Sequence, residues 1–389
     1  MKLVVVGLGQ CGGRLADEFT RLNVRARSQR GIEIVTGAFA VNTDAADLSG
    51  LQTISSDHQH RILIGGRRTG GHGVGKINEL GAEVAKDDAD KVVDAIRTAK
   101  RFFETDAFLL MAGVGGGTGS GAISIVARML RERYQDKPIY AMAVLPFSHE
   151  EGTEERTIYN TATSLKSLYP MVDAVFLVDN QRYVKKNFSL GNNLAKINSL
   201  IAEPFYDLLC AGEEKNSKHI GAKIVDAGDL IQSLAGWTVI GHGAIKLPAW
   251  SPFSSRNFAK KSTETHRGIQ AMDEALSELS LKCNAADAGR AIYLVSAPPK
   301  EMNMDLVKGL GDYLRTISPE AVIRNGDYPI GGGSIGITLL LSEFNALEKV
   351  KGYFIKASGA IHNLKGRREE FESKLKEIED ASKDLPSLL

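Results

Sequence analysis

Only three cysteines occur in 389 residues, and Cys11, Cys210 and Cys283 stand far apart with no CxxC pair. That scarcity speaks against a disulfide framework and a zinc knuckle, and the chain reads as cytoplasmic and reducing. Long apolar runs are missing as well: none approaches the ~20 residues of a membrane span. At the start, MKLVVVG resembles a signal peptide only briefly, because glycine cuts the apolar stretch short; a buried first strand is expected. Charge of one sign is also lacking, with a net charge of +1. Without a basic stripe carrying interleaved aromatics there is no electrostatic case for nucleic acid. His58 and His60 form an HxH pair with no third ligand suggested nearby, so a solvated loop is expected there and no metal site.

What is present is an ordinary globular composition, 43% hydrophobic and 24% charged, on a chain long enough for two or three domains. In the N-terminal half, short apolar runs at 2–6, 38–41, 61–64, 107–112, 139–144 and 174–178 alternate with helical patterns at 13–22, 78–85, 89–103 and 122–134. That alternation predicts a parallel α/β sheet covered on both faces. A longer helical stretch, 190–209, has no paired strand, and Pro204 inside it is expected to kink or break it. Strands at 291–295, 322–324 and 335–341, with helices at 263–281 and 304–317, then form a second, smaller α/β unit. Leu364, Phe371, Leu375 and Ile378 place one apolar stripe on a charged C-terminal helix, expected to pack on the protein's own body.

Three glycine loops carry the chemistry. Residues 113–121 read GVGGGTGSG between an apolar strand and a helix, a layout in which bare amides and a helix N-terminus approach an oxyanion. Gly7-Leu-Gly9-Gln-Cys-Gly12 matches GxGxxG, but the acidic residue wanted about 20 positions on is absent; Asp44 comes 32 residues after Gly12. Gly70-x-x-x-x-Gly75-Lys76 nearly matches a P-loop, with Ile77 where the magnesium-binding Ser/Thr belongs. Each loop alone could be a tight turn. Together they fit a triphosphate gripped from several sides.

These residues resemble the tubulin/FtsZ superfamily of polymerising GTPases. GGGTGSG at 115–121 is close to its signature loop, Gly9–Gly12 to the first nucleotide loop of tubulin, and Asn42-Thr43-Asp44-Ala45 to the second loop of FtsZ. Gly71–Gly75 followed by Asn78–Glu83 looks most like the archaeal CetZ branch. The resemblance implies a Rossmann-like parallel-sheet GTPase domain at 1–186, a central helix and catalytic loop at 187–234, an α/β activation domain at 235–344 and C-terminal helices at 345–389.

It also implies roles. Gly116, Gly117, Thr118 and Gly119, with Gly9, Gln10 and Cys11, would meet the phosphates of GTP or GDP. Gly71 and Gly73 would approach the terminal phosphate, and Asp44 would lie near it and its Mg2+; a turn or capping role for Asp44 is compatible with that. Cys11 reads as a small residue against the nucleotide rather than a nucleophile. Glu151 and Arg156 match the ribose loop, with one extra residue leaving the choice among Glu150, Glu151 and Glu154 open. Asn180 and Asn198 fit guanine, since an amide can donate to O6 and accept from a ring N–H. Leu194 stands where relatives carry a stacking aromatic, and Tyr183 is the substitute considered.

Asp226 and Asp229 resemble the catalytic loop that enters the next subunit's site, with Ile224 replacing an asparagine. Their spacing alone equally suits a helix N-terminus. The expected partner is a second copy stacked head to tail, with lateral or membrane-associated partners open. The rival expectation is a nucleotide-binding structural protein with little turnover; a nicotinamide-dependent oxidoreductase is the distant one.

Overall fold

In the computed structural model, which describes residues 1–184, 190–247 and 258–359, the apolar runs become one ten-stranded sheet. Its strands are β1 (Leu3–Leu8), β2 (Val35–Asn42), β3 (Arg61–Leu63), β4 (Ala107–Gly113), β5 (Ile139–Leu145), β6 (Ala174–Asp179), β7 (Gly236–Lys246), β8 (Arg290–Ala297), β9 (Val322–Pro329) and β10 (Ser334–Phe344). They lie in the order β3-β2-β1-β4-β5-β6-β7-β10-β8-β9. From β3 to β7 all neighbours are parallel; β10 runs antiparallel to β7 and β8, and β9 is parallel to β8. The sheet is therefore α/β and mostly parallel, with a second unit continued from its edge.

The connecting helices are α1 (Gly9–Arg30), α2 (Ala45–Ser49), α3 (Gly66–Thr69), α4 (Asn78–Asp87), α5 (Ala89–Arg97), α6 (Thr118–Arg133), α7 (Ser148–Thr153), α8 (Glu155–Leu168), α9 (Leu190–Ala202), α10 (Pro204–Ala211), α11 (Ala227–Ser233), α12 (Phe258–Ser277), α13 (Met304–Ile317) and α14 (348–359). Strands β1, β5 and β6 are buried at every position, which is why they read as unbroken apolar runs. Val4, Val6 and Leu8 pack into one core with α4, α5, α6 and α8; Leu3 and Val5 pack into the other with α1, α9 and α10.

Several expected bounds shift, among them 89–103, whose helix ends at Arg97, and 263–281, whose helix is Phe258–Ser277; two further changes have a visible physical cause. Helix α1 runs eight residues past Leu22, to Arg30. Apolar periodicity fades there, but the buried Asn23 amide takes over: its Nδ2 donates to the Val35 carbonyl (3.1 Å), and its Oδ1 accepts from the Ile34 and Val35 amides (2.9 and 3.0 Å). The stretch 190–209 is two helices, broken at Glu203, with Pro204 in the first turn of α10 where its missing N–H costs nothing. The C-terminal stripe of Leu364, Phe371, Leu375 and Ile378 lies outside the described residues.

Strand order reverses between β1 and β4, and a parallel sheet opens a crevice at its carboxyl edge at such a point. Leu8 pairs with Val41 on one side and Ala112 on the other, so the loops after β1, β2 and β4 leave from one edge. Helix α1 is seated directly on β4, because a Cβ on Gly12 would lie 2.0 Å from the Met111 carbonyl oxygen.

Gly12→Ala should therefore push α1 off the strand and destabilise by ~3 kcal/mol. Gly31→Ala, with φ +66° and open space around its Cβ, should cost only ~1–2 kcal/mol. Urea denaturation compares the two, and equal losses would refute the seating of α1.

Candidate functional site

The crevice holds a cavity of about 490 Å³. Helices α1 and α6 aim their N-termini at it; Leu8 and Gly117 before them provide no side-chain cap, and neither first turn holds an acid. Their leading amides and dipoles thus favour an anion. Gly9 enters α1 at φ +70°, and a Cβ there would lie 2.9 Å from the Gly119 nitrogen. At Gly116 an added Cβ would meet nothing within 4 Å, so that backbone faces open space in the cleft.

Side chains behind the loops hold them in place. The buried Asn160 of α8 donates through Nδ2 to the carbonyls of Gly116 (2.8 Å), Lys76 (2.9 Å) and Gly115 (3.2 Å), tying two glycine loops together. The Thr43 and Thr118 hydroxyls meet at 2.7 Å. Asp44 caps α2 through Oδ1, accepting from Ala46 N (2.9 Å) and Asp47 N (3.1 Å), while lining the cavity. Asp47 accepts from Gln10 Nε2 (2.6 Å) and Asn42 Nδ2 (3.0 Å).

Gly9, Gln10, Cys11, Asp44, Gly73, Gly116, Gly117, Thr118, Gly119, Asn180 and Asn198 all line this cavity. Gly71 does not: its carbonyl accepts from Ala45 N (3.0 Å), strapping its loop to the Asp44 turn, and Gly73 takes the lining position. Glu151 turns to α14, where it accepts from the Tyr353 hydroxyl and pairs with Lys356 at 3.5 Å. Glu150 lines the cleft instead. Arg156 also turns away, pairing with Glu79 on α4. Tyr183 is packed against the core rather than lining the cavity, and burial pushes its hydroxyl up to about 12. Phe147 and His149 are the aromatic side chains among the described lining residues.

Two cations also line the cleft: Arg14, which the sequence did not single out, and Lys76, which it offered only as the end of a near P-loop match. Arg14 follows Gln10 by one turn of α1, a spacing that could have flagged it. Lys76 pairs with Glu154 at 2.5 Å at the cleft's rim. Burial pushes the Cys11 thiol up to about 12, which leaves it protonated near neutral pH. At the other end of the cleft the amides of Asn180 and Asn198 stand beside Leu194 and Phe147. One end therefore suits phosphates and the other a heterocycle with an apolar face. Of the two paired histidines, His60 holds Asp57 through Nδ1 (2.8 Å) and stacks on Phe39.

Asp226 and Asp229 lie elsewhere. They form a reciprocal cap on α11, Asp226 Oδ1 accepting from Asp229 N at 2.9 Å and Asp229 Oδ2 from Asp226 N at 3.4 Å. Asp229 also faces Arg324 at 3.8 Å. Helix α11 precedes β7, whose first residue Gly236 pairs with Ala174, the first of β6. The two carboxylates are thus at the amino edge of the sheet, opposite the cleft.

Residues 2–187 match the tubulin/FtsZ family GTPase domain, and residues 188–358 match the tubulin-like CetZ C-terminal domain. The chain is 32% identical over 369 residues to the tubulin-like protein CetZ1 of Haloferax volcanii, covering 90% of each. In structure it is similar to GDP-bound monomeric CetZ1 from Haloferax volcanii, with a TM-score of 0.78 and 31% identity over 92% of this chain and 99% of that one. It is also similar to the GTPγS-bound protofilament of CetZ2 from the same organism, with a TM-score of 0.79 and 29% identity over 94% of this chain and 100% of that one.

Burial raises the Cys11 thiol above its usual value, so its thiolate fraction at pH 8 should lie well below that of a free cysteine. Iodoacetamide is therefore expected to leave it unlabelled under conditions that alkylate free cysteine, with labelling rising about tenfold per pH unit. Rapid alkylation of Cys11 at pH 8, read by peptide mass spectrometry, would contradict this environment.

Proposed function

This chain belongs to the tubulin/FtsZ family and carries a CetZ-type C-terminal domain, and from that premise we propose that it binds GTP, stacks head to tail into protofilaments and hydrolyses GTP at the junction. The observation that carries this reading is the separation of the two halves of the site. The cleft sits at the carboxyl edge of the parallel strands and Asp226 and Asp229 at the amino edge. The six residues of β6 span roughly 20 Å, so a subunit cannot bring its own carboxylates to its own cleft. A second copy stacked in the same direction can. Ile224 (46% exposed) and Ile231 (38%) lie around the carboxylates, and Ile77 (45%) and Val184 (40%) lie near the cleft. Exposed apolar residues at both ends suit burial in such a junction. The GTPγS-bound protofilament of CetZ2 supports assembly into protofilaments.

In this reading the amides of Gly9, Gln10 and Cys11 and of Gly116, Gly117 and Gly119, with the Thr118 hydroxyl, hold the phosphates, and Arg14 and Lys76 add charge. Gly73 approaches the terminal phosphate, and Glu150 rather than Glu151 reaches the ribose. Asn180 and Asn198 read guanine. Among the described residues no cluster of three or more His, Cys, Asp or Glu side chains could hold a metal ion. Mg2+ would be held through phosphate oxygens beside Asp44 and would neutralise charge on them. Asp226 or Asp229 of the neighbour orients a water for in-line attack on the γ-phosphorus. The P–O bond to the bridging oxygen breaks, releasing phosphate and leaving GDP.

Hydrolysis removes the group that couples one subunit to the next, which weakens the junction. Residues 1–186 would form the nucleotide domain, 187–234 the central helix and catalytic loop, 235–344 the activation domain and 345–389 C-terminal helices. Among the described residues no helix is long and apolar enough to cross a membrane. Action in the cytoplasm, in cell shape control or division, is the corresponding cellular reading. Exposed Ile224, replacing a polar residue beside the carboxylates, favours a second reading, assembly with little turnover.

Asp226→Asn preserves a good helix cap while removing the carboxylate. It should retain GTP, lengthen polymer lifetime and lower phosphate release by about 10²-fold or more. Phosphate release in the parent should rise more steeply than linearly with protein concentration; a linear rise, or parent-rate turnover in the variant, would defeat the catalytic assignment. A separate test mixes Asp226→Asn with Gly116→Glu, whose added carboxylate would repel phosphates from an otherwise open position. Turnover regained on mixing two inactive proteins is expected only when neighbours complete each other's sites, and its absence would sink the shared site.

A further inference from the structure

Among the described residues, the heterocycle end of the cleft has two amides beside the aliphatic Leu194, and Tyr183 does not line the cavity. We propose that Phe147, with His149 stacked against it, supplies the aromatic face on which the purine rests; this rests on the nucleotide reading above and names the part of the site that sets purine preference. Phe147 lines the same cavity as Asn180, Leu194 and Asn198. It is also the wall shared with a second cavity of about 350 Å³, which it lines together with Leu194 and Ile197. The ring is half-buried, so it is neither sealed in the core nor free in solvent.

Its position is well fixed. The Phe147 N–H donates to Glu150 Oε2 at 2.9 Å, and its carbonyl accepts from the Glu150 and Glu151 amides at 3.0 and 3.2 Å. The next residue's N–H donates to Gln181 Oε1 at 3.2 Å, which joins this loop to the one carrying Asn180. The imidazole of His149 lies nearly parallel to the Phe147 ring, with centroids 5.5 Å apart and a 20° interplanar angle. A ring held this way loses little freedom when a base lands on it.

Stacking is tolerant of which purine is present, because every base has a π-face, and it grows with the overlapped area. The amides read hydrogen-bonding edges. Phe147 therefore sets affinity and the preference for a purine over a pyrimidine, while Asn180 and Asn198 set guanine against adenine.

Competition binding of GDP, ADP and UDP to the parent, Phe147→Ala, Phe147→Leu, Phe147→Tyr and His149→Ala tests this, with circular dichroism to confirm folding. Phe147→Ala and Phe147→Leu should weaken GDP by about tenfold and UDP by much less, so that the GDP-to-UDP ratio collapses while the GDP-to-ADP ratio holds. Phe147→Tyr should bind like the parent, and His149→Ala should lose less than Phe147→Ala. If Phe147→Ala fails to fold, Phe147→Leu, which keeps apolar bulk, carries the test. Unchanged GDP affinity without the ring, equal weakening of GDP and UDP, or a larger loss from His149→Ala would each overturn the assignment to Phe147. A parent protein that takes up no guanine nucleotide would overturn the nucleotide reading itself, and this inference with it.

Discussion

Main-chain amides can grip an anion only where no side chain stands between backbone and ligand, and that constraint organises the first half of this molecule. The amides must point outward from an edge, and several loops must share that edge. A parallel sheet meets both conditions at the point where its strand order reverses. Here β1, β2 and β4 end level with one another, and two helices start there without side-chain caps. The Asn160 amide then joins the loop after β4 to the Gly70–Lys76 loop through three carbonyls. Rigidity behind the cradle matters as much as the glycines within it, because a loose loop would lose on ordering what its amides gain on binding.

The same parallel sheet imposes the second constraint. Its two edges are chemically different, carboxyl edge and amino edge, and nothing in the topology lets one chain fold both onto a single point. Carboxylates at the amino edge are useless to their own cleft and available to another's. A contact between unlike edges is heterologous, and repeated by translation along the strand direction, without a rotation that closes, it would build an open filament. In the proposed assembly, filament growth would use the directionality of the strands together with the placement of α11 before β7.

Much of the fold was legible because its strands are buried on both faces and its glycines are clustered. Strands 107–112 and 139–144 needed only apolar runs, and the bounds of α13 agree with the helical period at 304–317. Helix α8 stayed hidden for a physical reason: most of its buried side chains are polar (Thr157, Asn160, Thr161 and Ser164), with Ala162, Leu165 and Leu168 confined to its second half, so hydrophobic periodicity is weak along it. In the site, loop glycines were readable because backbone chemistry is local. The side chains of Glu151 and Arg156 were not, since a partner far along the chain decides which way each turns: Tyr353 and Lys356 hold Glu151 at 202 and 205 residues' remove, and Glu79 holds Arg156. Phe147 likewise carries no local signal; its significance lies in what shares its cavity.

The contacts that join the two units are of two kinds, apolar and polar. Strands β6 and β7 pair over Ala174, Val175 and Phe176 alone. Both apolar cores continue across the junction, and a buried polar contact lies beside them: Arg30 of α1 meets Glu214 at 3.2 Å, Glu214 is 1% exposed at its side chain, and the Tyr328 hydroxyl of β9 donates to it at 3.1 Å. The guanidinium of Arg30 also lies 4.8 Å from the Tyr328 ring centroid. A buried ion pair of this kind adds little net stability, because desolvation offsets much of its attraction, but removing one partner leaves a costly unpaired charge. Its use is to fix register. Helix α1, 22 residues long, begins at the glycine loops of the cleft and ends at this contact with β9, so one continuous element touches both the cleft and the second unit.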